Sequence, residues 1–229
     1  MNDLVNEIEK LIWNLNENIS ILIKDLSSEN EIYNLNSTEK LVSASTIKVP
    51  IMLAIFEEVK SGKVNLNDTI LVTKNDILDD TEIFENGENY YSINELINWM
   101  IIESDNTATN VLLKYFGMEN INNYLNIKNT YVQRYMLDEK AIKNGLNNYM
   151  SQKDMLDIFT LLFSKKILNN ELCEKAINIL YNDQVGKKLV EDFYQLLVVY
   201  SQNEKIKPVE SYLLKLNDIA RKKKIRLVY

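Results

Sequence analysis

Ser43-Ala44-Ser45-Thr46-Ile47-Lys48-Val49-Pro50 (SASTIKVP) heads an apolar segment that runs to Val59 and stops at Ser61-Gly62. The spacing predicts a helix over 46–59, closed by the glycine. Ser45 then lies at the helix start, near free N–H groups and the positive end of the dipole, with Lys48 one turn on along the same face. Two roles fit that placement. Ser45 is either an N-cap followed by an exposed Lys48, or a nucleophile whose proton goes to Lys48 once Ile47, Ile51 and Met52 desolvate the amine. Ser-x-x-Lys alone does not choose between them, because two residues at fixed spacing recur by chance.

The composition limits the chemistry. The chain has 229 residues, 46% of them hydrophobic, enough to bury the core of one domain. We expect a single domain over 1–229, with an α/β lobe from 1–45 and 182–229 and a mainly helical lobe from 46–181. Asp and Glu number 33 against 26 Lys and Arg, so nucleic acid and anionic membrane surfaces are not expected partners. The basic run from Arg221 to Lys224 reads as a solvated last helical turn. A single cysteine, Cys173, cannot close an intramolecular disulfide, and the chain has no histidine. Ser-His-Asp, Cys-His and histidine-containing zinc sites are thereby excluded, no metal or cofactor is expected, and acid–base work falls to carboxylate, lysine or tyrosine. The N-terminal stretch is acidic and amphipathic rather than a leader, and no apolar run reaches the ~18 residues of a membrane span. As written, the chain is expected in the cytoplasm.

Leu4, Ile8, Leu11, Ile12 and Leu15 fall at helical spacing and predict an opening amphipathic helix. Residues 19–26 and 31–35 read as a strand hairpin. Further helices are expected at 93–102, 107–116, 119–125, 151–163 and 170–180. FYQLLVVY, residues 193–200, is a β-rich strand, and Pro208 suits the first position of a final helix. The pattern is α+β: an antiparallel sheet built from the terminal segments, packed on terminal helices, with a central all-helical region between.

A second motif, Ser104-Asp105-Asn106, falls where one helix ends and the next begins. Ser, Asp and Asn are also preferred caps, and a helix starting at Thr107 needs one. In combination, Ser-x-x-Lys followed by Ser-Asp-Asn is a signature of class A β-lactamases and penicillin-binding proteins. The chain resembles that family over about 19–180. STIKVP with its apolar helix resembles the nucleophile helix, MIIESDNTATNVLL the Ser-Asp-Asn segment, and residues 129–134 with NNYMSQKDM (147–155) the flanks of the Ω-loop. The resemblance implies Ser45 as the acylated nucleophile and Lys48 as its proton acceptor. It implies Ser104 as the relay to the β-lactam nitrogen and Asn106 as a donor to the side-chain amide of the substrate, with Asp105 structural. The implied ligand is a β-lactam or a peptidoglycan-like small molecule.

Two departures qualify that reading. With Thr130 and Arg134 as Ω-loop entry residues, Met136 takes the place of the glutamate that activates the hydrolytic water; an ungapped alignment from Leu125 offers Glu139, and Asp138 is a further candidate. Neither Lys-Thr-Gly nor Lys-Ser-Gly, the third motif of the family, follows Ser104-Asp105-Asn106 in the chain; the one Lys-Ser-Gly, at 60–62, closes the helix that begins with STIKVP. Eleven residues separate Tyr181 from Phe193, too few for the two strands that carry it, so the sheet is expected to be shortened with strands one, two and five contiguous. FYQLLVVY would then be an exposed edge strand, covered by residues 185–192 or by a second copy in a homodimer. Three functions remain open: a β-lactamase acting through a Ser45 acyl-enzyme, an acyl-trapping relative, and a non-catalytic relative.

Overall fold

A computed structural model of the chain describes residues 2–13, 19–25, 30–81, 83–84, 87–125, 127–182, 195–201 and 226–228. The fold is α+β and is organised around α2 (Lys48–Lys60). Pro50 falls in the first turn of α2, where a missing N–H costs no internal hydrogen bond. Ile51, Met52, Leu53, Ala54, Ile55 and Phe56 follow without a polar break, and all six are buried. A helix apolar on every side must be enclosed. Three others pack against it: α3 (Ile93–Ile102), α5 (Met118–Leu125) and α8 (Asn170–Asn182).

Helix α3 begins at a capping box, in which Ser92 Oγ accepts from Glu95 N at 3.2 Å and the Glu95 carboxylate accepts from Ser92 N at 2.8 Å. Packed beside it is α4 (Asn106–Phe116), joined through Glu103, Ser104 and Asp105. The helices expected at 46–59, 93–102, 107–116, 119–125, 151–163 and 170–180 are present to within two residues at either end. The short α6 (Glu139–Lys143), capped by Asp138, precedes α7 (Gln152–Phe163).

Strand β1 (Ile19–Asp25) is antiparallel to both β2 (Glu31–Leu35) and β7 (Gln195–Ser201). Helix α7 packs across β1 and β7, and α1 (Asn2–Ile12) contributes a fully buried Ile8. The order β2-β1-β7 is the contiguity expected of a shortened sheet. The expected open edge at 193–200 is corrected: β8 (Arg226–Val228) pairs with Leu196, Leu197 and Val198. The backbone of these three residues is therefore paired within the chain. That pairing is parallel, so the sheet is not wholly antiparallel. Residues 185–192, Leu15 and the final helix expected from Pro208 lie outside the described residues.

Nor is the central region all helical. It holds a hairpin of β4 (Thr69–Val72) and β5 (Asn89–Ser92), and β3 (Leu41–Val42) pairs with β6 (Tyr149–Met150) at its border. In β4, Ile70 and Val72 are buried and their neighbours exposed, but this alternation spans only four residues and is easily missed in sequence. A last correction falls on the opening stretch. Residues Ala44–Ile47 form a single 3-10 turn, and α2 starts at Lys48 rather than Thr46.

Phe56 is fully buried in the core around α2. Phe56→Ala is expected to cost about 3–5 kcal/mol through lost burial and the cavity left behind. In urea unfolding this appears as a lowered midpoint with an unchanged slope.

Candidate active site

The 3-10 turn decides what Ser45 does. The N-cap position of that turn belongs to Ser43, which makes no side-chain cap, and Ser45 is exposed on the turn. Its hydroxyl meets Ser104 instead, with the two Oγ atoms 3.0 Å apart. Lys48 follows in the first turn of α2 and is only 2% exposed. Its Nζ lies 3.0 Å from Ser104 Oγ and 2.9 Å from Asn106 Oδ1, and donates as well to the Ser104 carbonyl. An ammonium has three protons, and these three acceptors take all of them. All four residues named from the sequence, Ser45, Lys48, Ser104 and Asn106, therefore meet at one place. Lys48 reaches Ser45 through the Ser104 hydroxyl rather than directly.

Burial lowers the Lys48 pKa from 10.5 to about 8, and the nearby charges of Asp105 and Asp80 keep it from falling further. Near neutral pH the amine is mostly charged, yet a small rise in pH frees it as a base.

The turn between α3 and α4 divides its duties by residue. Asp105 is the cap: its carboxylate accepts from Ala108 N at 2.6 Å and from Thr81 Oγ1 at 2.5 Å. That leaves Ser104 and Asn106 to face Lys48. Ser104 adopts a left-handed backbone with φ +53°, as do Ala44 (+45°), directly before Ser45, and Leu137 (+59°), directly after Met136. These are three of the five non-glycine residues with positive φ among the described residues, at roughly 1–2 kcal/mol each. Such strain concentrates where geometry is imposed by a site.

Residue 136 is held by α4. Asn110, one turn beyond Asn106, accepts from Met136 N at 2.6 Å and donates to Met136 O at 3.1 Å. Upstream, Asn148 Oδ1 accepts from the backbone N–H groups of Gln133 and Arg134, and Thr130 Oγ1 donates to the buried Asp154 at 2.8 Å. Met136 is thus buried against the helix that carries the Ser-Asp-Asn turn. The side chain of Glu139 is 81% exposed and pairs with Lys143, while Asp138 caps α6 through Ala141 N. Its backbone is held on Asn110 and its sulfur lies 3.9 Å from Asn148 Nδ2, whereas the carboxylates of Glu139 and Asp138 are engaged at α6.

Asp80 and Asn110 were not among the sequence candidates. Asp80 Oδ2 accepts from Asn106 Nδ2 at 2.7 Å across the mouth of the site. An Asp-Asp pair in a polar loop carries no periodic signal, and nothing local links it to residue 106.

A serine on an exposed turn, a buried lysine one turn later and a second serine bridging them form a histidine-free serine–lysine constellation. The chain belongs to the Beta-lactamase enzyme family, whose family model, Beta-lactamase2, matches residues 3–203. It is similar to the β-lactamase VEB-1 of Pseudomonas aeruginosa, with 29% identity over 180 residues, covering 76% of this chain and 60% of that one. The chain thus spans about three fifths of the length of that relative. In fold it is similar to a solved β-lactamase from Xanthomonas campestris, at TM-score 0.78 and 14% identity, covering 96% of this chain and 97% of that one. It is also similar in fold to a variant of PBP-A solved as an acyl-enzyme complex with penicillin G, at TM-score 0.71 and 24% identity, covering 80% and 70%.

Between pH 8 and 10.5 the unfolded chain holds a proton on Lys48 that the folded chain has shed, so the contribution of this group to stability rises with pH across that window. The difference in unfolding free energy between Lys48→Met and the wild type should therefore fall as pH rises from 8 to 10.5. Urea titrations of both proteins across that range check it; a constant difference contradicts the depressed pKa.

Proposed function

We propose that Ser45 is acylated by a β-lactam or a peptidoglycan-like amide and that the acyl-enzyme is long-lived. The observation that carries this reading is the Ser104 hydroxyl standing between Ser45 and Lys48 within hydrogen-bond reach of both. In the forward step, neutral Lys48 accepts the Ser45 proton through Ser104 while Ser45 Oγ bonds to the carbonyl carbon. Collapse of the tetrahedral adduct breaks the C–N bond, and the leaving nitrogen takes a proton from Ser104, resupplied by Lys48. Asn106 Nδ2 offers its second proton to the amide of the acyl side chain.

Deacylation is less well provided for. Among the described residues no carboxylate hydrogen-bonds Ser45 or Lys48, and Met136 presents a thioether, which cannot take a proton from water. The chain also contains no Lys-Thr-Gly. That segment would contribute an oxyanion-hole donor, and loss of one such donor slows acyl transfer by about 10² to 10³. Acylation is accordingly slow and hydrolysis slower. The same absence favours a second reading, a non-catalytic relative that retains the two motifs.

Mass spectrometry after incubation with benzylpenicillin decides between them. A persistent adduct of intact penicillin mass on Ser45, absent in Ser45→Ala, is expected. Its rate of formation should rise with pH through about 8, as Lys48 loses its proton. No adduct at any pH supports the non-catalytic reading. Rapid turnover without accumulation overturns the long-lived intermediate.

Met136→Glu puts a carboxylate at the position that the resemblance pairs with the hydrolytic glutamate and should shorten the lifetime of the adduct. Release of intact adduct at an unchanged rate would show that residue 136 does not reach the hydrolytic water.

A further inference from the structure

The geometry points to Asp80 as the residue that selects the acyl side chain of the ligand, favouring one that carries a positive charge next to its amide. This deepens the proposed acylation of Ser45 and rests on it.

Asp80 is exposed, yet the loop that carries it is tied down. Three successive residues at the α3–α4 turn each bind this loop: Asp105 accepts from Thr81 Oγ1 at 2.5 Å, Asn106 donates to Asp80 at 2.7 Å, and Thr107 Oγ1 accepts from Leu78 N at 2.9 Å. The Asp80 carboxylate therefore keeps a fixed place at the mouth of the site. Its Oδ2 is engaged by Asn106, and among the described residues no lysine or arginine forms an ion pair with it. Among the described residues no donor hydrogen-bonds Oδ1.

A side-chain amide that binds Asn106 Nδ2 comes to rest one hydrogen bond from this carboxylate. An ammonium on the carbon next to that amide falls within reach of Asp80, whereas an anionic group there meets repulsion. The cation within the site does not offset this. Lys48 is buried, its protons are committed to Ser104 and Asn106, and its positive charge is lost when it acts as a base.

The test uses two penicillins of nearly equal shape, benzylpenicillin with a neutral phenylacetyl side chain and ampicillin with an α-ammonium on the same side chain. Second-order rate constants for adduct formation on Ser45 are compared in the full chain and in Asp80→Asn, which keeps an oxygen to accept from Asn106. The wild type should favour ampicillin by about two- to fivefold at low salt, the scale of one exposed charge pair, with the preference shrinking as salt rises. Asp80→Asn should abolish the preference and Asp80→Lys should invert it. Equal rates in the wild type, or a preference that survives Asp80→Asn, overturn the assignment.

If neither penicillin acylates, the proposed function fails and a binding measurement judges Asp80 separately. Phenylglycinamide and phenylacetamide, titrated into the wild type and followed by amide chemical shifts, should show tighter binding of the ammonium compound that disappears in Asp80→Asn. Equal binding of the two compounds overturns the assignment by that route as well.

Discussion

An ammonium buried to 2% exposure loses its hydration, a penalty of several kcal/mol unless each N–H finds an acceptor. Lys48 meets that demand with three oxygens, all from the short turn between α3 and α4. The turn is shaped accordingly. Ser104 takes a left-handed backbone that aims both its carbonyl and its hydroxyl at Nζ, Asp105 assumes the helix cap, and the Asn106 amide is oriented by Asp80 on its other side. Helix α2 is thus joined to the α3–α4 pair by packing and by one charge with its acceptors. Movement of either partner would leave that charge unsatisfied.

The same arrangement tunes the lysine. Burial alone would favour a neutral amine, and the charges of Asp105 and Asp80 oppose it, leaving the pKa at about 8. Protonated, Lys48 holds the turn together; neutral, it can draw a proton from Ser45 through Ser104. One residue is thus a structural tie whose protonation state is set by pH near its shifted pKa.

The two motifs and residue 136 lie on different parts of the chain. Ser45, Lys48, Ser104 and Asn106 sit on the 3-10 turn, on α2 and at the α3–α4 junction, beside the core. Residue 136 lies on a loop pinned by the side chains of Asn110, Asn122, Asn148 and Asp154 and by backbone pairing of Tyr131 with Tyr149. Those pins fix the loop whatever side chain it carries at 136. A methionine is accommodated there with its backbone held on both sides by Asn110.

Much of this was legible in the order of residues. The helices announced themselves because apolar residues recur at their spacing, and Ser45, Lys48, Ser104 and Asn106 were readable because two motifs fall in the required order. The choice between cap and nucleophile was not. Both uses call for the same residue types, and only the 3-10 turn, with Asp105 as the cap, frees Ser45 and Ser104 for each other. Asp80 and Asn110 stayed invisible because each acts through a partner 26 residues away in sequence. The strand at 195–201 was readable as a strand, but not its neighbours, since β8 enters from beyond a long intervening segment. Local pattern alone determined the elements and the identity of the reactive groups, because periodicity and motif spacing act over a few residues. The protonation balance of Lys48, the residue facing Ser45 and the carboxylate at the mouth were decided by tertiary structure, because burial and charge act between segments that only folding brings together.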